Sequence, residues 1–148
     1  MINKPERFIS GQIFLFYMAT VAVITKDQSL NSLYATLTRL AGYEAVAMDV
    51  GLGTAPSSVA DFVKKNNPDL VLLSENLGIN VGLWGKDRQG LEALVAIMEA
   101  VPTARVYMVS SDPSTDGEAQ RKGAMGYYPL GLNDTYIAFL NSILKAGI

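Results

Sequence analysis

Pro68-Asp69-Leu70-Val71-Leu72-Leu73-Ser74 limits what this chain can fold into more than any other stretch. Four consecutive apolar residues, bracketed by a proline and by the polar Ser74, Glu75 and Asn76, lack the alternation of a half-solvated strand. A strand of that kind is covered on both faces, and such strands belong to parallel sheets sandwiched between helices. Open parallel sheets gather their functional residues beyond the carboxyl ends of the strands. Ser74 therefore marks the region where a site is expected.

Apolar runs and helical patterns alternate along the rest of the chain, as βαβ units require. Met18 to Thr25 reads as a first strand, and Leu30, Leu33, Tyr34, Leu37 and Leu40 follow at helical spacing until Gly42 closes the helix. Glu44 to Asp49 reads as the second strand, and Ser57 or Ser58 is placed to cap a helix carrying Val59, Phe62 and Val63. After the third strand, Leu91, Leu94, Val95 and Met98 mark a helix, and Arg105 to Val109 a fourth strand. A short polar helix near Asp116 to Lys122, a fifth strand at Gly126 to Tyr128, and a last helix with Ile137, Leu140, Ile143 and Leu144 complete the pattern. The expectation is an α/β fold, a doubly wound five-stranded parallel sheet in the flavodoxin-like order 2-1-3-4-5.

Composition narrows the chemistry. A chain of 148 residues fits one domain and buries roughly 70% of its unfolded surface. A formal net charge of −2, from 12 basic and 14 acidic residues with no basic run, offers no footprint for nucleic acid. The chain has no Cys and no His. Thiolate nucleophiles, thiolate metal sites, and the commonest general base and metal ligand are thereby removed. The expectation is a protein that is not an enzyme, with no cofactor and no metal site, in a reducing cytoplasm.

Phe8 to Thr25 is an uncharged run of 18 residues behind Lys4 and Arg7, superficially like an anchor. Ser10, Gly11, Gln12 and Thr20 dilute it, and no membrane insertion is expected. Residues 1–17 read instead as an N-terminal extension to a domain spanning 18–148, and Met18 is a candidate alternative start. Ile9, Ile13, Phe14, Leu15, Phe16 and Tyr17 are too apolar to lie freely in water, so the extension is expected to pack on the domain or on a second chain.

Several segments in order, "VAVITKDQSL", "LAGYEAV", "PDLVLLSENL", "GLEALVAIMEAVPTARVYMVSS" and "GAMGYYP", resemble the receiver domain of response regulators. The resemblance runs from Ala19 to Gly147 and implies two-component signalling, a phosphorelay role and the CheY-like fold. A typical receiver binds Mg²⁺ through two acidic residues after strand one, and carries an acceptor Asp ending strand three, a hydroxyl ending strand four and a Lys ending strand five. Aligned without gaps, the acidic pair falls on Thr25 and Lys26, the acceptor on Ser74, the hydroxyl on Ser110 and the Lys on Leu130. That set reads as a degenerate phosphorylation site, with Asp27 one residue away as a substitute ligand. Ser110 and Tyr127 match the positions that the resemblance links to switching. The loop "GINVGLWGKDRQGLEAL" is longer than usual and carries the only Trp, Trp84, which reads as either a partner anchor or a lid.

The resemblance thus points to a pseudo-receiver that docks another signalling protein without catalysis. It implies a contact patch at Tyr127, Tyr128, Asn133 and Tyr136, with Trp84 and the extension as a second contact or a homodimer seam. Two rivals stand beside it. One is a working receiver whose metal site is rebuilt from Asp27, Glu75 and Asp112; the other is a small-ligand sensor using Ser74, Ser110 and Lys26. Weaker motifs carry less: Gly51-Leu52-Gly53-Thr54 reads as a plain turn, "AGYEAVAMDVG" lacks the axial His of cobalamin modules, and Asp112, Asp116 and Glu118 read as a solvated acidic loop.

Overall fold

A computed structural model describes residues 7–9, 12–16, 18–50, 54–75, 77, 89–110, 116–129 and 135–145. Its elements run β1 (Arg7–Ile9), β2 (Gln12–Phe16), β3 (Thr20–Thr25), α1 (Gln28–Leu40), β4 (Glu44–Asp49), α2 (Pro56–Asn66), β5 (Leu70–Ser74), α3 (Gln89–Ala100), β6 (Val106–Ser110), α4 (Asp116–Arg121), β7 (Gly126–Pro129) and α5 (Tyr136–Leu144). Strands β3 to β7 form one sheet, parallel throughout, in the order β4-β3-β5-β6-β7. Counted from its first strand this is 2-1-3-4-5, as the sequence predicts.

The central strand explains the sandwich. Leu70, Val71, Leu72 and Leu73 are all at 0% exposure. Val71 and Leu73 belong to the core shared with α2, α3 and α4, whereas Leu70 and Leu72 belong to the core shared with α1 and α5. Strand alternation therefore sends successive residues into two separate cores. At roughly 1.5 to 3 kcal/mol for each fully buried side chain, these four residues are among the largest local contributions to stability.

Helix ends depart from the sequence reading in instructive ways. Helix α2 begins on Pro56, which needs no N–H partner at the first helical position, and its N-cap is Ala55; neither Ser57 nor Ser58 caps it. Asn67 ends α2 in the left-handed region at φ 45°, a conformation Asn tolerates, and Pro68 then directs the chain into β5. Gly42, at φ 95°, turns the chain out of α1. The first sheet strand starts at Thr20 and not Met18, because Asp69 fixes its origin: Thr20 N donates to Asp69 Oδ2 at 2.8 Å and Asp69 N to the Thr20 carbonyl at 2.8 Å. Strand β6 is shifted one residue from its expected range.

Helix α1 buries Asn31, Tyr34, Ala35 and Thr38, an i, i+3, i+4, i+7 row. Of the leucines expected to form the buried stripe, Leu30, Leu33 and Leu37 are half-buried and Leu40 is 72% exposed. The polar residues go inside because the core there supplies them with partners. Thr38 Oγ1 donates to the Tyr34 carbonyl at 2.6 Å, so the Tyr136 hydroxyl, 2.7 Å from the same oxygen, is the donor of that second bond. Tyr136 also packs against Tyr34, with ring centroids 4.9 Å apart. A second bond, from Tyr43 Oη to Asn141 Oδ1 at 2.6 Å, ties the end of α1 to α5.

Residues of the extension pair with one another. Strands β1 and β2 form an antiparallel two-stranded sheet of their own, Arg7 opposite Phe16 and Phe8 opposite Leu15, with an irregularity between Phe8 and Ile9. The apolar run from Phe8 to Thr25 is therefore divided among β1, β2 and β3, and among the described residues no helix is long and apolar enough to cross a membrane.

Burial pushes the Tyr136 hydroxyl above the ordinary phenol range. The unfolded chain releases this proton from about pH 10 while the folded chain retains it. The stabilising effect is thus complete below that pH and is lost as pH rises beyond it. Tyr136→Phe is expected to cost about 1 kcal/mol at neutral pH and to flatten the alkaline fall in stability. Urea midpoints on both sides of that transition check this; an unchanged alkaline slope would assign the fall to other groups.

Candidate functional site

Strands β3, β5 and β6 end side by side. The register sets Ile24 opposite Leu73 and Ser74 opposite Val109, so Thr25, Ser74 and Ser110 close the carboxyl edge of neighbouring strands. Thr25 is 1% exposed, Ser74 is half-buried and Lys26 is exposed.

Thr25 is held by a residue the sequence reading passed over. Asn31 Oδ1 accepts from Thr25 N at 3.0 Å and lies 2.9 Å from Thr25 Oγ1, while Asn31 Nδ2 donates to the Met48 carbonyl at 3.0 Å. This side-chain amide, 3% exposed, bridges the last amide of β3 to a carbonyl of β4 where the two strands finish. It acts there as a peptide group would in a further rung of the sheet. Thr25 Oγ1 also accepts from Asp27 N at 3.2 Å. A signal was present: Asn31 lies three residues before Tyr34 and four before Ala35, on the buried row of α1.

Asp27 is the N-cap of α1. Its carboxylate accepts from Ser29 N at 2.8 Å and Leu30 N at 3.4 Å, two of the amides that a helix start leaves without intrahelical partners. Mg²⁺ requires hard oxygen ligands with carboxylate charge. The donor set at the end of β3 does not fit it: a buried threonine bonded to an amide, an exposed lysine, and a carboxylate committed to a helix cap. Among the described residues, no three His, Cys, Asp or Glu side chains gather as a metal-binding group.

The start of α3 sits directly on the end of β5. Gly90 N donates to the Glu75 carbonyl at 2.8 Å, Glu75 N donates to the Val109 carbonyl at 3.2 Å, and the buried Gln89 accepts from Leu77 N through Oε1 at 2.9 Å. A Cβ on Gly90 would collide with the Ser74 carbonyl and come within 2.7 Å of the Glu75 carbonyl, so only glycine allows this approach. Gln89 and Gly90 were not singled out in the sequence.

Two cavities adjoin this edge. A cleft of about 240 Å³ is lined by Thr25, Lys26, Gln28, Asp49 and Val50. A groove of about 720 Å³ runs between α1 and β4 past Ser32, Thr36, Arg39 and Ala47. They share Gln28 and Asp49, joined by a bond of 3.3 Å from Gln28 Nε2 to Asp49 Oδ2. Lys26 reaches the cleft, but Ser74 lines neither cavity, so the expected ligand triad of Ser74, Ser110 and Lys26 is not assembled around either one.

The expected contact patch divides. Tyr128 is 4% exposed and Tyr136 0%, and both belong to the core under α1 and α5, so neither is a surface contact. Tyr128 spends its hydroxyl on Thr135 Oγ1 at 2.8 Å and its ring on Phe139, 4.5 Å between centroids. Tyr127 is half-buried against the opposite core. Trp84, Asp112, Leu130, Asn133 and the turn at 51–53 lie outside the described residues.

The geometry has close counterparts among solved structures. NtrX from Brucella abortus superposes with a TM-score of 0.71 at 22% identity, over 88% of this chain and 27% of that one. The chemotaxis protein CheY4 of Vibrio cholerae gives 0.67 at 17% identity over 86% of this chain and 99% of its own. The response regulator domain of Thermotoga maritima CheB gives 0.68 at 19% identity, covering 88% and 96%. This is the receiver fold. The match spans about a quarter of the length of NtrX and nearly all of CheY4. No family model and no curated protein matches the sequence.

Asn31→Leu is expected to cost about 3 kcal/mol, because Thr25 N and the Met48 carbonyl both lose a buried partner. Gln28→Ala, at an exposed bond, is expected to stay within about 0.5 kcal/mol. Chemical denaturation of both variants checks this, and equal small effects would show that water readily replaces the Asn31 amide.

Proposed function

We propose that this chain is a receiver-fold signalling module that docks to another protein and does not accept a phosphoryl group. The observation that carries this reading is the commitment of polar groups at the end of β3 to the protein itself, Thr25 to Asn31 and Asp27 to the α1 N-terminus. If the receiver alignment holds, the positions of the acidic pair are Thr25 and Lys26, and a lysine brings a positive charge where Mg²⁺ needs negative ligands. The acceptor position is then Ser74, an alcohol that needs an adjacent base to become a useful nucleophile, in a chain without His. Leu130 in place of the usual lysine offers no charge to a phosphoryl oxygen. The working-receiver alternative relied on Asp27, whose carboxylate would have to abandon the helix cap.

Two-component signalling is part of this proposal and rests on the shared fold. Trp84 and Tyr127 remain the candidate contacts with the partner. A second reading, a small-ligand sensor, is favoured by the size of the α1/β4 groove, which falls in the usual range for ligand sites, though it runs along the sheet edge rather than across the strand ends.

The test is titration of Mg²⁺ with beryllofluoride, followed by the fluorescence of Trp84, beside incubation with a small phosphodonor read by intact mass. Wild type is expected to give a flat titration and no phosphoryl adduct. Ser74→Asp alone is expected to remain unmodified, since Lys26 and Leu130 stay in place. A saturable Mg²⁺-dependent response of the wild type would overturn the proposal in favour of a working receiver.

A further inference from the structure

We propose that two copies of this chain join reversibly along the free edge of β4, strand against antiparallel strand, across a two-fold axis through Ala47. This goes beyond docking to a different protein and does not depend on whether the site takes phosphate. Among the described residues β4 has one strand neighbour, β3, and so forms one edge of the sheet, as β7 forms the other. The two edges are built differently. Strand β7 has four residues and ends in Pro129, and a short strand with a proline is a poor template for further pairing. Strand β4 runs in unbroken register with β3 over six residues and contains no proline, lysine or bulge.

Alternation of the backbone decides which groups β4 presents. Glu44 N donates to the Ala19 carbonyl, and the Met48 carbonyl accepts from Asn31, the side chain that bridges to Thr25. Glu44, Val46 and Met48 therefore turn their backbone groups toward β3, and Ala45, Ala47 and Asp49 turn theirs outward. The Ala45 carbonyl shows this direction, since it accepts from Arg39 Nη2 of α1 at 3.3 Å. An antiparallel partner forms its bonds between outward residues set opposite one another. With the axis on Ala47, that residue meets its own copy and Ala45 meets Asp49, so all three exchange bonds; sliding the pairing by two residues either way leaves one of them without a β4 partner. The Ala45 carbonyl has two lone pairs and takes the Asp49 amide beside Arg39.

Side chains on both faces of the strand fit the same axis. Gln28 Nε2, 3.3 Å from Asp49 Oδ2, marks one end of the edge, and Arg39 at Ala45 marks the other. Antiparallel pairing brings the exposed Asp49 of each copy to Ala45 of the other, next to the exposed Arg39, which makes two reciprocal ion pairs and keeps the two Asp49 carboxylates apart. That is the self-complementarity an isologous contact requires. On the opposite face Val46 meets Met48, both half-buried against the core shared with α2. The helix side leaves room for the approach, because the groove of about 720 Å³ beside β4 is lined along its middle by the small residues Ser32, Ala35, Thr36 and Ala47. A strand of six residues is about 20 Å long. So short a seam belongs with small, transient interfaces, and the expected dissociation constant is on the order of tens of micromolar.

Sedimentation equilibrium of the full chain from about 5 to about 500 µM tests the proposal, the range bracketing that constant. Wild type is expected to dimerise. Arg39→Glu and Asp49→Lys each act twice across the axis, and each is expected to raise the dissociation constant at least about tenfold. Mixed in equal amounts, the two variants are expected to associate with each other near the wild-type strength, because every contact then again sets an acid against a base. A gain on mixing cannot come from a folding defect in either variant. Amide exchange read by NMR gives a second measure: the amides of Ala45, Ala47 and Asp49 are expected to slow as concentration rises, and those of Val46 and Met48 to stay unchanged. A wild type monomeric throughout, its edge left to a strand of a different protein, overturns the proposal. So does a dimer that neither single variant weakens, and so does a mixture that restores nothing.

Discussion

Leu70, Val71, Leu72 and Leu73 receive no solvent from either side of the sheet, and much of the architecture follows from covering them. A parallel strand buried on both faces needs a helical layer above and below. Parallel neighbours need crossovers, so each strand is followed by a helix that returns the chain to the same edge. The carboxyl ends of β3, β5 and β6 then converge on one rim, where the backbone leaves its ladder and loses partners that the sheet supplied. What a fold of this type does with those unpaired groups determines what chemistry its rim can support.

Among the described residues, several polar groups of this rim are bonded to the protein itself. Asn31 bridges β3 to β4, Asp27 caps α1, and Gly90 brings the amide of α3 onto the Glu75 carbonyl. Each arrangement gives a polar group of the rim a partner within the protein. A ligand at Thr25 or Asp27 would have to compete with bonds that already hold secondary structure together.

Strand order and the central strand were legible because their signals are local: an unbroken apolar run, and alternation of elements. The burial of α1 was not. Leucines at positions 30, 33, 37 and 40 make a convincing stripe by hydropathy, yet the inward row is Asn31, Tyr34, Ala35 and Thr38. Hydropathy penalises Asn and Thr for polar groups that the fold happens to satisfy, through Met48, Tyr34 and Tyr136, and those partners lie far away in sequence. Tyr128 and Tyr136 failed as surface residues for a related reason. An aromatic with a hydroxyl looks amphipathic in isolation, but a single buried partner such as Thr38 or Thr135 makes the whole ring a core residue. At the rim, Thr25 and Ser74 at the strand ends were readable from the sequence, whereas the Asn31 bridge beside them was not.

The misread helix and the apolar flank it leaves outside have a common cause. By turning its polar row inward, α1 leaves its leucines on the flank beside α5, half-covered or uncovered, and α5 adds no charge to protect them. The two helices are fastened to each other and to the sheet by Thr38 to Tyr136, by Tyr43 to Asn141, and by Arg105 Nη2 donating to the Ile143 carbonyl at 3.1 Å. The buried hydrogen bonds of the α1/α5 layer therefore do two things at once: they satisfy polar groups inside the core, and they hold in place the apolar residues that this same packing leaves outside it.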